Sequence, residues 1–117
     1  MIKCIIAGGR DFNNYDLLYN RCKFHLKKYG SDVQIVSGGA RGADTLGEKF
    51  ATDMGYSIKQ FPADWSKYGK SAGYRRNAQM SEYADMLIAF WDYNSRGTQH
   101  MINLAKAQKL TVIVIKY

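Results

Sequence analysis

The chain has one proline, Pro62, two cysteines, Cys4 and Cys22, and two histidines, His25 and His100, among its 117 residues. The cysteines lack metal-ligand spacing and the histidines form no His-x-x-x-His pair, so no metal centre is expected. Cys4 falls in an apolar strand-like run and Cys22 on the apolar side of a helical pattern. Both read as buried free thiols, which fits a reducing, cytoplasmic setting. No run of eighteen apolar residues occurs, which excludes a membrane-spanning helix. Met1 to Gly8 is too short and too strand-like for a signal peptide. Acidic residues are few: 10 Asp and Glu against 17 Lys and Arg leave a net charge of +7. No Lys/Arg run resembles a nucleic-acid-binding tail. The charge total therefore fits a small polyanion as well as a nucleic acid. There are no repeats, linkers or low-complexity segments, and residues 1–117 read as a single domain. With 46% hydrophobic residues, the chain can bury a core.

What is present is a glycine-rich connection between a strand and a helix. Val33-Gln34-Ile35-Val36 runs into Ser37-Gly38-Gly39-Ala40-Arg41-Gly42-Ala43-Asp44. Glycines let a ligand approach the backbone closely. The free N–H groups of such a turn and of the helix start converge, and the helix dipole adds to their field, so the place favours an anion. The run is neither a Walker loop nor a dinucleotide fingerprint, because Gly-Gly-x-x-Gly differs from Gly-x-Gly-x-x-Gly.

Strand and helix patterns alternate along the chain. Strands are expected at 2–7, 33–37, 56–61, 84–91 and 111–115. Helices are expected from Asn13 or Asn14 to Tyr29, and at 40–54, 72–83 and 97–108, with a loop over 63–71. Strict alternation argues a parallel sheet covered by helices on both faces. The expected architecture is a Rossmann-like three-layer α/β/α sandwich whose five-stranded parallel sheet has the order 3-2-1-4-5. Such sheets bind ligands at the carboxyl ends of their strands, near the switch point.

The charged loops fall at that edge. They carry Gly8, Gly9, Arg10 and Asp11 after the first strand, and Ser37 to Gly42 with Asp44 after the second. Arg76 and Asn77 follow the third strand, and Asp92, Arg96, Gly97 and Thr98 follow the fourth. Arginine suits phosphate because its planar fork donates paired hydrogen bonds. Carboxylates at such a rim suit ribose hydroxyls. Trp65, Tyr68, Tyr74, Trp91 and Tyr93 offer rings for stacking on a base. In this reading Ser37 to Gly42 hold a phosphate through backbone amides, and Gly97 and Thr98 hold the same phosphate or a second one. Arg10, Arg76 and Arg96 supply charge, and Asp11 and Asp44 accept from ribose. Mg²⁺ accompanying a polyphosphate is compatible with the loop aspartates. Surplus aromatic and Met residues on the helices point to a homo-oligomer.

The segments Gly8-Gly9-Arg10-Asp11-Phe12, Ser37 to Asp44, Gly73 to Met80 and Ser95-Arg96-Gly97-Thr98 resemble, in order, the SLOG superfamily, and within it the YspA/YpsA-related branch of small bacterial and phage proteins. The resemblance implies a Rossmann-like fold and a site for nucleotides or ADP-ribose-like molecules. The superfamily also contains the "lonely guy" phosphoribohydrolases and the DNA-processing protein A family. The phosphoribohydrolase pattern is matched at Arg76, the candidate catalytic residue, and at Gly97 and Thr98. Met101 stands where that pattern has its catalytic glutamate. A thioether can neither stabilise an oxocarbenium-like state nor activate water. The leading expectation is therefore a nucleotide-binding sensor or sequestering protein. An N-glycosidic hydrolase acting on a nucleoside monophosphate or NAD-like substrate is the alternative. A single-stranded DNA-binding protein is the second alternative.

Overall fold

A computed structural model describes residues 1–117. Five strands form one parallel sheet: β1 (Ile2–Gly8), β2 (Val33–Ser37), β3 (Ser57–Gln60), β4 (Met86–Trp91) and β5 (Thr111–Lys116). Their order is β3-β2-β1-β4-β5, so the first two connections run one way from β1 and the later ones run the other. The central strands are nearly continuous apolar runs because helices cover both their faces. Alternate side chains go to opposite layers. Cys4 and Ile6 join Ile35, Ile88, Phe90 and Phe50 in one core cluster. Ile5 and Ala7 join Val36, Leu87, Ala89 and Met101 in the other.

The helices are α1 (Tyr15–Leu26), α2 (Ala43–Met54), α3 (Trp65–Tyr68), α4 (Ala72–Tyr83) and α5 (Arg96–Ala107). The Asn14 side chain accepts from the Leu17 amide at 3.0 Å and starts α1, which buries Leu18, Cys22 and Leu26 beneath it. Its last expected turn, Lys27–Tyr29, tightens into a 3₁₀ turn. Both cysteines are buried free thiols, and burial pushes the Cys22 thiol well up from its ordinary pKa.

Two departures from the sequence pattern affect the site. Helix α2 starts at Ala43 instead of Ala40, because Gly42 at its N-cap takes φ 82°. That left-handed geometry is open to glycine and costly for other residues. The expected loop over 63–71 contains α3 and a 3₁₀ turn over Gly69–Ser71. The Asp64 side chain accepts from the Lys67 amide at 3.0 Å and stabilises a turn too short for periodicity to reveal. No helix is long and apolar enough to cross a membrane.

Candidate functional site: a cationic cavity at the sheet edge

A cavity of about 710 Å³ opens at the carboxyl edge of the sheet, where the chain direction reverses about β1. The end of β1 and the loop after it bring Gly8 to Asp11, the β2–α2 connection brings Ala40 and Arg41, and the start of α2 brings Asp44. Helix α4 brings Tyr74, Arg76 and Asn77, and the start of α5 brings Ser95, Gly97 and Thr98. Its apolar floor is Ala7, Met80 and Met101, each under a tenth exposed. Trp65 and Tyr74 stand at the rim, 53% and 49% exposed. Of the glycine loop only Ala40 and Arg41 line this cavity, beside Gly97 and Thr98, and Gly42 lines neither cavity.

Close approach at the glycine loop explains its composition. A Cβ on Gly42 would lie 2.4 Å from the Gly9 carbonyl oxygen and 2.6 Å from that of Arg10. A Cβ on Gly38 would lie 2.8 Å from Nη1 of Arg76 and 2.9 Å from Oδ2 of Asp44. The first contact seats α2 against the β1 loop, and the Ala43 amide donates to the Gly9 carbonyl at 3.2 Å. The second lets the arginine of α4 reach across. Arg76 donates through Nη1 to the Gly38 carbonyl at 2.5 Å and through Nε to Oδ1 of Asn77 at 3.1 Å.

Asp44 is the one buried carboxylate at the cavity, 7% exposed. Its Oδ2 accepts the Ala40 amide at 3.2 Å. Burial raises its pKa from 3.8 to about 6, with Glu48 adding to the rise, while the Ala40 amide and the charges of Arg76 and Arg10 oppose it. For Arg76, burial lowers the pKa, Asp44 raises it and Arg10 lowers it further. The molecule's ion pairs, Met1 with Asp32 and Lys49 with Asp53, lie elsewhere. Arg10, Arg41, Lys70 and Arg76 therefore line the cavity with no carboxylate at ion-pair distance. Asp11, the other lining carboxylate, accepts from the Tyr117 hydroxyl at 2.6 Å.

Not every residue expected at the site faces the cavity. Ser37 is 1% exposed, and its hydroxyl donates to Glu48 at 2.6 Å and accepts the Gly39 amide at 3.1 Å. Gln60 donates to the same Glu48 oxygen at 3.0 Å, so Ser37 belongs to a network tying β2, α2 and β3 together. The amides of Gly39 and Ala40 are consumed by Ser37 and Asp44, whereas those of Arg41 and Gly97 have no acceptor within the chain. Gly38 and Gly39 border a neighbouring cavity instead. Asp92 holds the β4–α5 turn, accepting the amides of Asn94 at 2.8 Å and Ser95 at 2.9 Å, which lowers its pKa. Neither Asp92 nor exposed Arg96 lines either cavity. The reason is local: Ser95 caps α5 by accepting the Thr98 amide at 3.3 Å, which turns Gly97 and Thr98 inward.

Asn77 is 8% exposed and its Nδ2 lies 3.4 Å from the Gly97 carbonyl oxygen and 3.3 Å from Nδ1 of His100. His100 also packs edge-on against Tyr74 at 4.5 Å, so it acts as a packing partner between α4 and α5. Met101, 1% exposed, occupies the floor position, leaving no carboxylate there. Lys70, Ser95 and Met80 also line the cavity; the sequence puts them in the loop and motif segments of this edge without assigning them a role. No group of three or more His, Cys, Asp or Glu side chains comes together in the chain.

The sheet order, with two helix starts at the switch point, defines a Rossmann-like α/β protein. Comparison with known proteins agrees. The profile of the YspA, cpYpsA-related SLOG family matches residues 2–68. The Gene 61 protein of Mycobacterium phage D29 is 32% identical over 123 residues, an alignment covering 100% of this chain and 97% of the phage protein. The chain belongs to the YspA, cpYpsA-related SLOG family. Among solved structures, DNA processing protein A from Streptococcus pneumoniae superposes with a TM-score of 0.74 at 15% identity, over 97% of this chain and 49% of that one. DNA processing protein A from Helicobacter pylori, solved to describe its single-stranded DNA binding mode, superposes with a TM-score of 0.64 at 20% identity, over 97% of this chain and 64% of that one. These two likenesses concern the fold. The chain spans about half the length of the first and under two thirds of the second.

Proposed function

We propose that the cavity binds a phosphorylated nucleoside, a nucleotide or an ADP-ribose-like molecule, and that the protein acts as a sensor or sequestering protein. The observation that carries this reading is the set of guanidinium groups of Arg10, Arg41 and Arg76, which line one cavity without ion-pair partners. A phosphate among them takes the donors of Arg10 and Arg41 and those that Arg76 does not spend on Gly38 and Asn77. The free amides of Arg41, in the turn before α2, and of Gly97, in the first turn of α5, point to the same edge. The aromatic rim suits a base, and Asp44 and Asp11 are the acceptors for sugar hydroxyls. A cavity of about 710 Å³ has room for such a ligand, since small-molecule sites span roughly 300–1,000 Å³. Each charge-assisted hydrogen bond contributes about 1.5–3 kcal/mol, and a few of them support micromolar affinity, which needs about 8 kcal/mol. The test is titration calorimetry with AMP, ADP, NAD and ADP-ribose. Saturable binding of at least one supports the reading, and silence across the set from folded protein removes it.

A second reading is favoured by one specific feature, the exposure of Trp65, Tyr74 and Tyr93 on a chain of net charge +7. Single-stranded nucleic acids are held by basic grooves whose rings stack on bases, and the Helicobacter pylori structural neighbour is described as binding single-stranded DNA. This reading expects oligonucleotide affinity that falls steeply with salt. Binding of mononucleotides with weak salt dependence, and none of oligonucleotides, favours the first reading.

A further inference from the structure

A second cavity, of about 520 Å³, adjoins the first. Arg10, Ala40, Arg41, Trp65 and Arg76 line both. Beyond that shared wall the second cavity is bounded by Gly38 and Gly39 at the end of β2 and by Gln60, Pro62 and Ala63 at the end of β3. The carboxyl edge of the sheet therefore carries a two-lobed groove with three guanidinium groups and one indole at its waist. One lobe reaches toward α5 and the other toward the β3 edge.

We infer that the groove is built for two nucleoside units joined by a pyrophosphate, one unit in each lobe and the bridge at the waist. This deepens the nucleotide reading and rests on it. Three arginines at the waist, uncharged Gln60, Pro62 and Ala63 beyond it in one lobe, and an apolar floor with Asp11 and Asp44 as hydroxyl acceptors beside Lys70 in the other match a ligand with an anionic middle and two nucleoside ends. A single nucleotide leaves one lobe filled with water. Three positive charges gathered at the waist favour a bridge of two negative charges over a phosphodiester carrying one, and the planar guanidinium fork suits paired phosphate oxygens. The second lobe has the fittings of a base site. Pro62 is a flat apolar surface, and Trp65 is half exposed and free to stack. Gln60 uses its Nε2 on Glu48, which holds its amide in place and leaves Oε1 as an acceptor.

The test is calorimetry on the full chain with ADP and with diadenosine diphosphate, which share the pyrophosphate and differ by one adenosine. ADP carries the larger negative charge, so attraction to the waist alone favours ADP. The expected result is at least tenfold tighter binding of the dinucleotide. Ala63→Trp, which fills the second lobe, reduces that advantage and leaves ADP affinity unchanged, and Gln60→Ala, which removes the acceptor, reduces the advantage as well. Equal affinities, or an advantage insensitive to both variants, overturn the two-lobed proposal and leave the nucleotide reading standing. Failure of both ligands to bind overturns both. Binding of a short oligodeoxyadenylate more tightly than the dinucleotide, weakened by Ala63→Trp, overturns it in favour of a nucleic-acid strand.

Discussion

Replacing Asp44 with asparagine makes the protein more stable above pH 6 and hardly alters it at pH 4. The native carboxyl has its pKa raised from 3.8 to about 6, chiefly by burial. Below the unfolded value both states hold the proton, and the group costs nothing. Between about pH 4 and pH 6 the folded protein retains a proton that the unfolded chain has released, so stability falls as pH rises through that window. Above it the folded protein carries the full cost of a buried, unpaired carboxylate. One pKa unit corresponds to 1.36 kcal/mol, so the cost is about 3 kcal/mol. The amide keeps the shape and still accepts the Ala40 N–H, but it does not titrate. At roughly 4 °C per kcal/mol for a chain of this size, the Asp44→Asn variant melts about 10 °C above the native protein at pH 7 and within about 2 °C of it at pH 4. Melting by circular dichroism at both pH values measures the double difference, in which the two histidines cancel. An equal melting difference at both pH values, or a destabilised variant at pH 7, refutes the reasoning. Such a cost at a cavity wall fits an acceptor held for a ligand's hydroxyls, so the same variant binds nucleotide more weakly while melting higher.

Arg76→Ala removes a guanidinium that serves both the Gly38 carbonyl and the cavity. Ligand affinity falls about 10- to 150-fold, for the loss of about 1.5–3 kcal/mol of charge-assisted hydrogen bonding, and Arg76→Lys recovers little because a point charge cannot reproduce the fork. Calorimetry checks both. Gly42→Ala forces a side chain into φ 82° and a 2.4 Å contact with the Gly9 carbonyl oxygen. It destabilises by about 2–3 kcal/mol or more, visible as a lowered urea midpoint. Phe50→Ala empties a fully buried site between α2 and the sheet. It costs about 3–5 kcal/mol by the same measurement. Arg96→Ala, at an exposed position outside both cavities, leaves nucleotide affinity within about twofold.

Much of this architecture can be read before any coordinates. The strand runs at β1, β2 and β4 are legible because burial on both faces leaves them almost wholly apolar, and the Gly-rich connection and the strand order follow from the alternation of elements. The short helix α3 is not legible, since four residues carry no period and its signal is the single cap of Asp64. The identity of loops carrying site residues is legible in the same way, because the fold places every β-to-α connection at one edge. The direction of individual side chains is not. Ser37 and Asp92 bear the right chemistry at the right edge, yet a hydrogen-bond partner close by claims each, Glu48 for one and two turn amides for the other. Conversely, Lys70 reaches the cavity only because α3 and the 3₁₀ turn fold its segment back over the rim. Ala43, Gly47, Phe50 and Ala51 share the buried face of α2, but the burial of Asp44 beside them depends on Gly38 lacking a side chain.

The most direct measurement is a diffraction structure of the protein grown with ADP. The account predicts phosphate density at the waist, within hydrogen-bonding distance of Arg76 and at least one of Arg10 and Arg41, with the adenine against the aromatic rim. ADP bound elsewhere on the surface, or a waist holding only solvent at saturating nucleotide, contradicts it.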